Sequence, residues 1–374
     1  MRGSTLRPRP GQGKREPAHR ARKTSAGAQD RGGRRTAGGL AVTARPPLAS
    51  AARMSESASA TPSPTPPASQ PAPAAGARPR RGGQLRHHAR FHSRGLRGCR
   101  DIVVWLPPGY GDPRRRHPVV YFQDGQNVFD PVTAFLGQAW MAGEAAEKLI
   151  RRRALVPPIM VGIYNTGFNR MNEYSPTRAE FEGWSGEKCR STGDAKRYAK
   201  FVAQELKPFI DARYLTLPGP RTTSVVGSSM GGLVSLYFAL WHPRVFGNVA
   251  ALSPSLWWDD RIVFRDFGRL PRKLDVRLWL DTGTAEPGWE AAPLFRDALI
   301  GRGWTLGRDL AYREIAGATH SEKAWAARIG DVLQFLVGRG QPHSARPAAT
   351  GGNARPAGPR APDRPRPGSA ATAS

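Results

Sequence analysis

Thr223-Ser224-Val225-Val226-Gly227, followed at once by Ser228-Ser229-Met230-Gly231-Gly232, is the stretch on which the fold turns. A short apolar run ends in Gly-x-Ser-x-Gly with Ser229 at its centre, and a helical pattern then runs from Gly231 to Trp241. Such a sequence fits a very tight strand-to-helix turn. The residues flanking the serine must be small because two backbone segments nearly touch, and the turn lifts the hydroxyl clear of the main chain. In a chain with 42 glycines the pattern alone is weakly specific, and an ordinary Gly-rich turn is the plain alternative. Its place between strand and helix gives it weight.

Seven further apolar runs bounded by turn residues surround this one: 85–91, 101–106, 118–123, 158–163, 249–252, 276–280 and 310–315. Helical patterns fill most of the gaps, over 141–153, 194–212, 231–241, 289–301 and 321–336. Strands that are apolar throughout, alternating with helices, predict an α/β domain. Its sheet is mostly parallel, with about eight strands and helices on both faces. In such sheets chemistry sits just beyond the carboxyl ends of the strands. No repeat of 20–50 residues is visible.

The formal net charge of +28 points first to a polyanion partner. Its distribution weakens that reading. Residues 1–83 hold 16 Lys+Arg against 3 Asp+Glu, and 341–374 hold 5 against 1, which leaves only +11 for 84–340. Both tails are rich in Pro, Ala, Gly, Ser and Arg and are expected to be disordered, since they have little apolar surface to offset ordering. Residues 84–340 are expected to form one large domain. Two cysteines, Cys99 and Cys189, exclude a disulfide framework and a cysteine-based zinc site, and are read as isolated thiols. There is no run of 18 apolar residues to span a membrane, and the N-terminus, without an apolar h-region, makes a poor secretory signal, so the expected location is cytoplasmic. The Arg-rich, acid-poor N-terminus overlaps in character with an organelle transit peptide. A start at Met54, ahead of Ser55-Glu56-Ser57, is the plainer explanation of residues 1–53.

A serine hydroxyl near neutral pH needs a base, and the base needs an orienting acid. In this architecture the expected chain order is Ser, Asp or Glu, then His. Downstream of Ser229 stand His242, His320 and His343. His343 lies in the tail, and His242 ends the helix that starts at the serine, about one helix length away. His320, after the last strand, is the candidate base. The seventh strand ends in Leu280-Asp281-Thr282-Gly283-Thr284-Ala285-Glu286, with two carboxylates at the right edge. Glu286 has the reach of a loop position and is favoured as the acid, while Asp281 sits almost on the strand and is suited to bracing the loop. An oxyanion would require two main-chain N–H donors. Met230, next after the serine, and Gln126, in Gln123-Asp124-Gly125-Gln126-Asn127, are the candidates, although Asp124-Gly125 also reads as a simple turn.

These blocks resemble the family named Putative esterase within the α/β-hydrolase superfamily, the group of enterochelin esterases, feruloyl esterases, esterase D and mycolyltransferases. The resemblance covers about 85–337. It rests on Leu106-Pro107-Pro108-Gly109-Tyr110, Asp124 to Phe129, Glu173-Tyr174-Ser175-Pro176, the Ser229 elbow, Ser253-Pro254-Ser255, Gly283 to Glu286, and His320 to Trp325. It implies an α/β-hydrolase fold and Ser229 as nucleophile, with His320 as base and an acid in the Gly283–Glu286 block. It implies Gln126 and Met230 as oxyanion donors, and Arg170, Tyr174 and Trp257 bordering the substrate. The residues themselves also allow Trp257 and Trp258 as core packing, and Arg170 with Glu173 as a surface pair. Ser321 departs from the Asn that many relatives carry after the histidine.

The expected function is therefore a serine hydrolase that cleaves a small-molecule carboxylic ester through an acyl-enzyme, with no metal and no organic cofactor. Acyl transfer to an alcohol uses the same triad. From another class comes a polyanion-binding protein on an inactive hydrolase scaffold. The complete Ser229, Glu286 and His320 set argues against it, and leaves nucleic acid only a nonspecific partner of the basic tails. Oligomeric state and the identity of the ester stay open. Removal of 1–83 and 341–374 should leave ester cleavage intact and sharply reduce any salt-sensitive nucleic-acid binding; lost cleavage with unchanged binding would reverse that division of roles.

Overall fold

The structure, a computed structural model, describes residues 82–183 and 186–340. The tails expected to be disordered, 1–83 and 341–374, lie outside the described residues except for Gly82 and Gly83. The chain opens with strands β1 (Gln84–His92), β2 (Cys99–Leu106) and β3 (Val119–Phe122), followed by helix α1 (Ala142–Arg151) and strand β4 (Ile159–Ile163). A short helix α2 (Arg170–Tyr174) and a hairpin of β5 (Glu180–Glu182) and β6 (Lys188–Arg190) come next. Helices α3 (Ala195–Phe201) and α4 (Lys207–Arg213) run on through a widened helical stretch at Val202–Leu206. Then β7 (Thr223–Ser228), α5 (Met230–Trp241), β8 (Asn248–Leu252), α6 (Trp258–Gly268), β9 (Arg277–Gly283), α7 (Ala291–Gly301), β10 (Leu310–Ile315) and α8 (Glu322–Val337) alternate strictly.

The eight strands expected from the sequence form one sheet in the order β1-β2-β4-β3-β7-β8-β9-β10. β1 pairs antiparallel with β2 and β2 with β4, and every pairing from β4 to β10 is parallel. The composition follows position. β3, β4, β7 and β8 are buried along their whole length, which is why they read as continuous apolar runs. β1 is an edge strand, mostly exposed and with no fully buried position, which admits His87, His88 and Arg90. One apolar cluster joins α3 to α7 to one face of the sheet, and a second joins α1 and α8 to the other. α5 is apolar on all sides because it lies at the centre of the first layer, with ten of its residues buried.

Four elements had no signal in the sequence. The β5–β6 strands are three residues each, and α2 is five. α6 opens with Asp259, Asp260 and Arg261 at positive φ, which breaks the helical period at its start. The surface pair allowed for Arg170 and Glu173 does not form. Glu173 is buried and accepts two hydrogen bonds from Arg100 on β2, at 3.0 and 2.7 Å. Trp258 is buried, whereas Trp257 is 58% exposed. Cys99 and Cys189 are free thiols. Among the described residues no helix is long and apolar enough to cross a membrane.

Candidate active site

Parallel pairing brings the ends of β3, β7, β8, β9 and β10 to one edge. Phe122 pairs with Val226, so Gln126 and Met230 each stand four residues past the same rung of the ladder. Ser228 pairs with Leu252 and Leu252 with Asp281, so Ser229 and Ser253 leave the sheet side by side.

Ser229 takes φ 55° and ψ −125°, a left-handed conformation rare for a residue with a side chain. Its neighbours explain the glycines: a Cβ on Gly227 would lie 2.3 Å from the Gly231 carbonyl oxygen. Gly125 has an equal constraint on the adjoining loop, where a Cβ would lie 2.3 Å from the Gly162 carbonyl carbon. The loop after β3 thus lies against β4, and its Gly125–Asn127 turn presents Gln126. Asp124, at φ 51°, anchors that turn by accepting Arg170 Nε at 2.7 Å, Arg170 Nη2 at 2.8 Å and Asn165 Nδ2 at 2.7 Å.

His320 joins the loops. Its Nε2 is 2.9 Å from Ser229 Oγ, and its Nδ1 is 3.0 Å from Glu286 Oε2. A carboxylate only accepts, so Nδ1 carries the proton toward Glu286, and Nε2 is left to accept from the serine hydroxyl. The ring stands edge-on to Trp325, centroids 4.9 Å apart, and its side chain is 39% exposed. Burial by itself would raise the Glu286 carboxyl. Hydrogen bonds from His320, Ser253 Oγ and the Gly283 N–H outweigh it and hold the group below the usual glutamate value. Ser321 caps α8, its Oγ accepting the Ala324 N–H at 3.4 Å, so this departure from the family pattern has a local use.

The structure thus joins Ser229, His320 and Glu286, with Met230 next to Ser229 in the chain and Gln126 in the turn that follows the neighbouring strand β3. Asp281, the other carboxylate at this edge, is fully buried and accepts from Arg328 and from Trp279 Nε1 at 2.7 Å. Arg170 spends its guanidinium on Asp124 and stacks on Tyr174. Tyr174, expected at the substrate border, has no exposed surface; its hydroxyl accepts the Asp124 N–H at 3.1 Å, beneath the loop. Trp257 leans on Trp258 and faces solvent two residues past Ser255, whose Oγ is 3.4 Å from Ser229 Oγ.

Sequence reasoning gave no role to Arg328, or to Ser253 and Glu322 within their family-like blocks. Arg328 carried a legible signal, a charged residue on the stripe of α8 that buries Trp325, Ile329, Val332 and Leu333. Glu322 accepts from Asn127 Nδ2 at 3.0 Å and from Trp140 Nε1, tying the loop after β3 to the histidine loop.

An eight-stranded, mostly parallel sheet with a serine elbow at its carboxyl edge defines the α/β-hydrolase fold. Residues 93–335 match the family described as Putative esterase, and the chain belongs to that family. Its general activity is accordingly that of an esterase. An IroE-like serine hydrolase of Shewanella oneidensis superposes with a TM-score of 0.55 at 26% identity, over 68% of this chain and 80% of that one. The Bacillus subtilis protein YbbA, itself uncharacterized, is 24% identical over 252 residues, 65% of this chain and 94% of its own. Ferri-bacillibactin esterase BesA of the same organism is 26% identical over 169 residues, which span 42% of this chain and 54% of BesA.

Burial, reinforced by the Asp124 charge, pushes the Glu322 carboxyl up to about 7 against the opposing Trp140 N–H. Between the ordinary 4.5 and about 7 the folded chain holds a proton that the unfolded chain releases. Stability contributed by this group is therefore lost as pH rises through that window. Urea midpoints at pH 4.5 and 7.5 should show the wild type losing, relative to E322Q, on the order of 2–3 kcal/mol. Parallel pH profiles for the two proteins would contradict it.

Proposed function

We propose that the chain is a serine carboxylic-ester hydrolase acting through an acyl-enzyme. The observation that carries this reading is the unbroken chain Glu286–His320–Ser229, with contacts of 3.0 and 2.9 Å. Ser229 Oγ attacks the ester carbonyl carbon while its proton passes to His320 Nε2. Negative charge gathers on the carbonyl oxygen, facing the N–H groups of Met230, at the start of α5, and Gln126, in the turn after β3. The intermediate collapses, the C–O bond to the leaving alcohol breaks, and His320 delivers the proton to that oxygen. The acyl group stays on Ser229. Water then gives a proton to His320 Nε2 and attacks, and the second intermediate expels Ser229 Oγ, which takes the proton back as the acid departs.

Glu286 remains ionised throughout. Its depressed titration suits it to stabilising the imidazolium without accepting the proton. Every step uses side chains and main-chain N–H groups, and none calls on a metal or an organic cofactor. The substrate class is a small-molecule ester, in keeping with the esterase named among the relatives.

Labelling with a fluorophosphonate tests the nucleophile. The wild type should label and hydrolyse a short p-nitrophenyl ester, and S229A should do neither, with a loss of kcat on the order of 10⁴-fold or more. H320A should label slowly or not at all. Full labelling of S229A would overturn the assignment.

A further inference from the structure

The hydroxyl of Ser253 stands where two networks meet. It donates to Glu286 Oε1 at 2.7 Å, and it accepts from Trp325 Nε1 at 3.0 Å and Arg328 Nη2 at 2.7 Å. A serine hydroxyl has one proton and two lone pairs, so all of its capacity is used and its direction is fixed. With two N–H groups aimed at the oxygen, the proton has only Glu286 to go to. Ser253 is 3% exposed, and its φ of 42° is held by its N–H, which donates to the Asp281 carbonyl oxygen at 3.0 Å and to Asp281 Oδ1 at 3.1 Å.

Asp281 completes the arrangement. It takes Arg328 Nε on Oδ2 at 3.1 Å and Arg328 Nη2 on Oδ1 at 2.9 Å. The guanidinium therefore stays 3.8 Å from Glu286 Oε1. A guanidinium free of Asp281 would be drawn to Glu286 and compete with His320 for the carboxylate. With the pair in place, the neutral Ser253 hydroxyl and the Gly283 N–H, at 2.8 Å, hydrogen-bond Oε1, while Oε2 faces His320.

We propose that Ser253 is a positioning residue for Glu286, and that the buried Asp281–Arg328 pair sets the direction of its hydroxyl. The two carboxylates at the end of β9 divide the work: Glu286 orients the histidine, and Asp281 neutralises the arginine that would otherwise displace it. This rests on the proposed Ser229–His320–Glu286 triad.

A double-mutant cycle on the full chain tests it, with p-nitrophenyl butyrate as substrate and thermal melts confirming that each variant is folded at assay temperature. S253A should lower kcat by roughly tenfold to a hundredfold, with KM within about twofold, because a misoriented acid affects the chemical step. In an E286A background the same S253A change should alter kcat by less than about twofold, since its target is gone. S253C retains a weak donor and should fall between serine and alanine; it also carries the cycle should S253A not fold. Wild-type kcat in E286A would sink the triad reading and this inference with it. An impaired E286A combined with a silent or fully additive S253A overturns the positioning role alone.

Discussion

The site depends on a backbone conformation at a single residue. Ser229 is held at positive φ, at a cost of roughly 1–3 kcal/mol for a residue with a side chain. Three main-chain bonds hold it there: its N–H donates to Leu252 O at 3.0 Å, and its carbonyl oxygen accepts from Leu233 at 3.0 Å and Ser255 at 3.1 Å. They come from the neighbouring strand, the helix that follows and the loop after β8. The elbow is therefore clamped by the parallel sheet itself, and the hydroxyl is aimed before any substrate arrives. The same register places the loop after β3 alongside, so that Ser229 and the candidate oxyanion donors share one rigid support.

Charge is arranged around the elbow in closed pairs. Asp124 faces Arg170, Glu173 faces Arg100, and Asp281 faces Arg328. Each pair is buried or nearly so, and breaking one partner of such a pair costs more than the pair contributes. Their common effect is to fix loops: Asp124 and Arg170 hold the turn after β3, and Asp281 with Arg328 holds Ser253. Glu286 is the carboxylate of this edge whose second oxygen is turned to the histidine.

The fold was readable from the sequence because parallel strands covered on both faces must be apolar throughout, and β3, β4, β7 and β8 are. Chain order was enough to nominate Ser229 and His320, which the structure brings within 2.9 Å. The choice between Asp281 and Glu286 was not legible from local spacing, since both leave the same strand at the same edge. In the structure Asp281 is taken up by Arg328, an arginine 47 residues away on a different element, and it is Glu286 that faces His320. Tyr174 misled for a related reason. Its block matches the family, yet a five-residue helix turns the ring under the loop, and no periodicity reports the direction of so short an element. Glu322 was equally silent, because its partners Asn127 and Trp140 come from the connection after β3, more than 180 residues earlier in the chain.

The central claim, that ester cleavage passes through an acyl group on Ser229, is tested most directly by trapping that group. A p-nitrophenyl carbamate transfers a carbamoyl group that a serine hydrolase releases slowly. Mixing it with the enzyme should liberate one equivalent of p-nitrophenol and add one carbamoyl mass to the peptide bearing Ser229. Modification at another residue, or steady turnover of an ordinary ester by enzyme whose Ser229 is fully carbamoylated, would contradict the account.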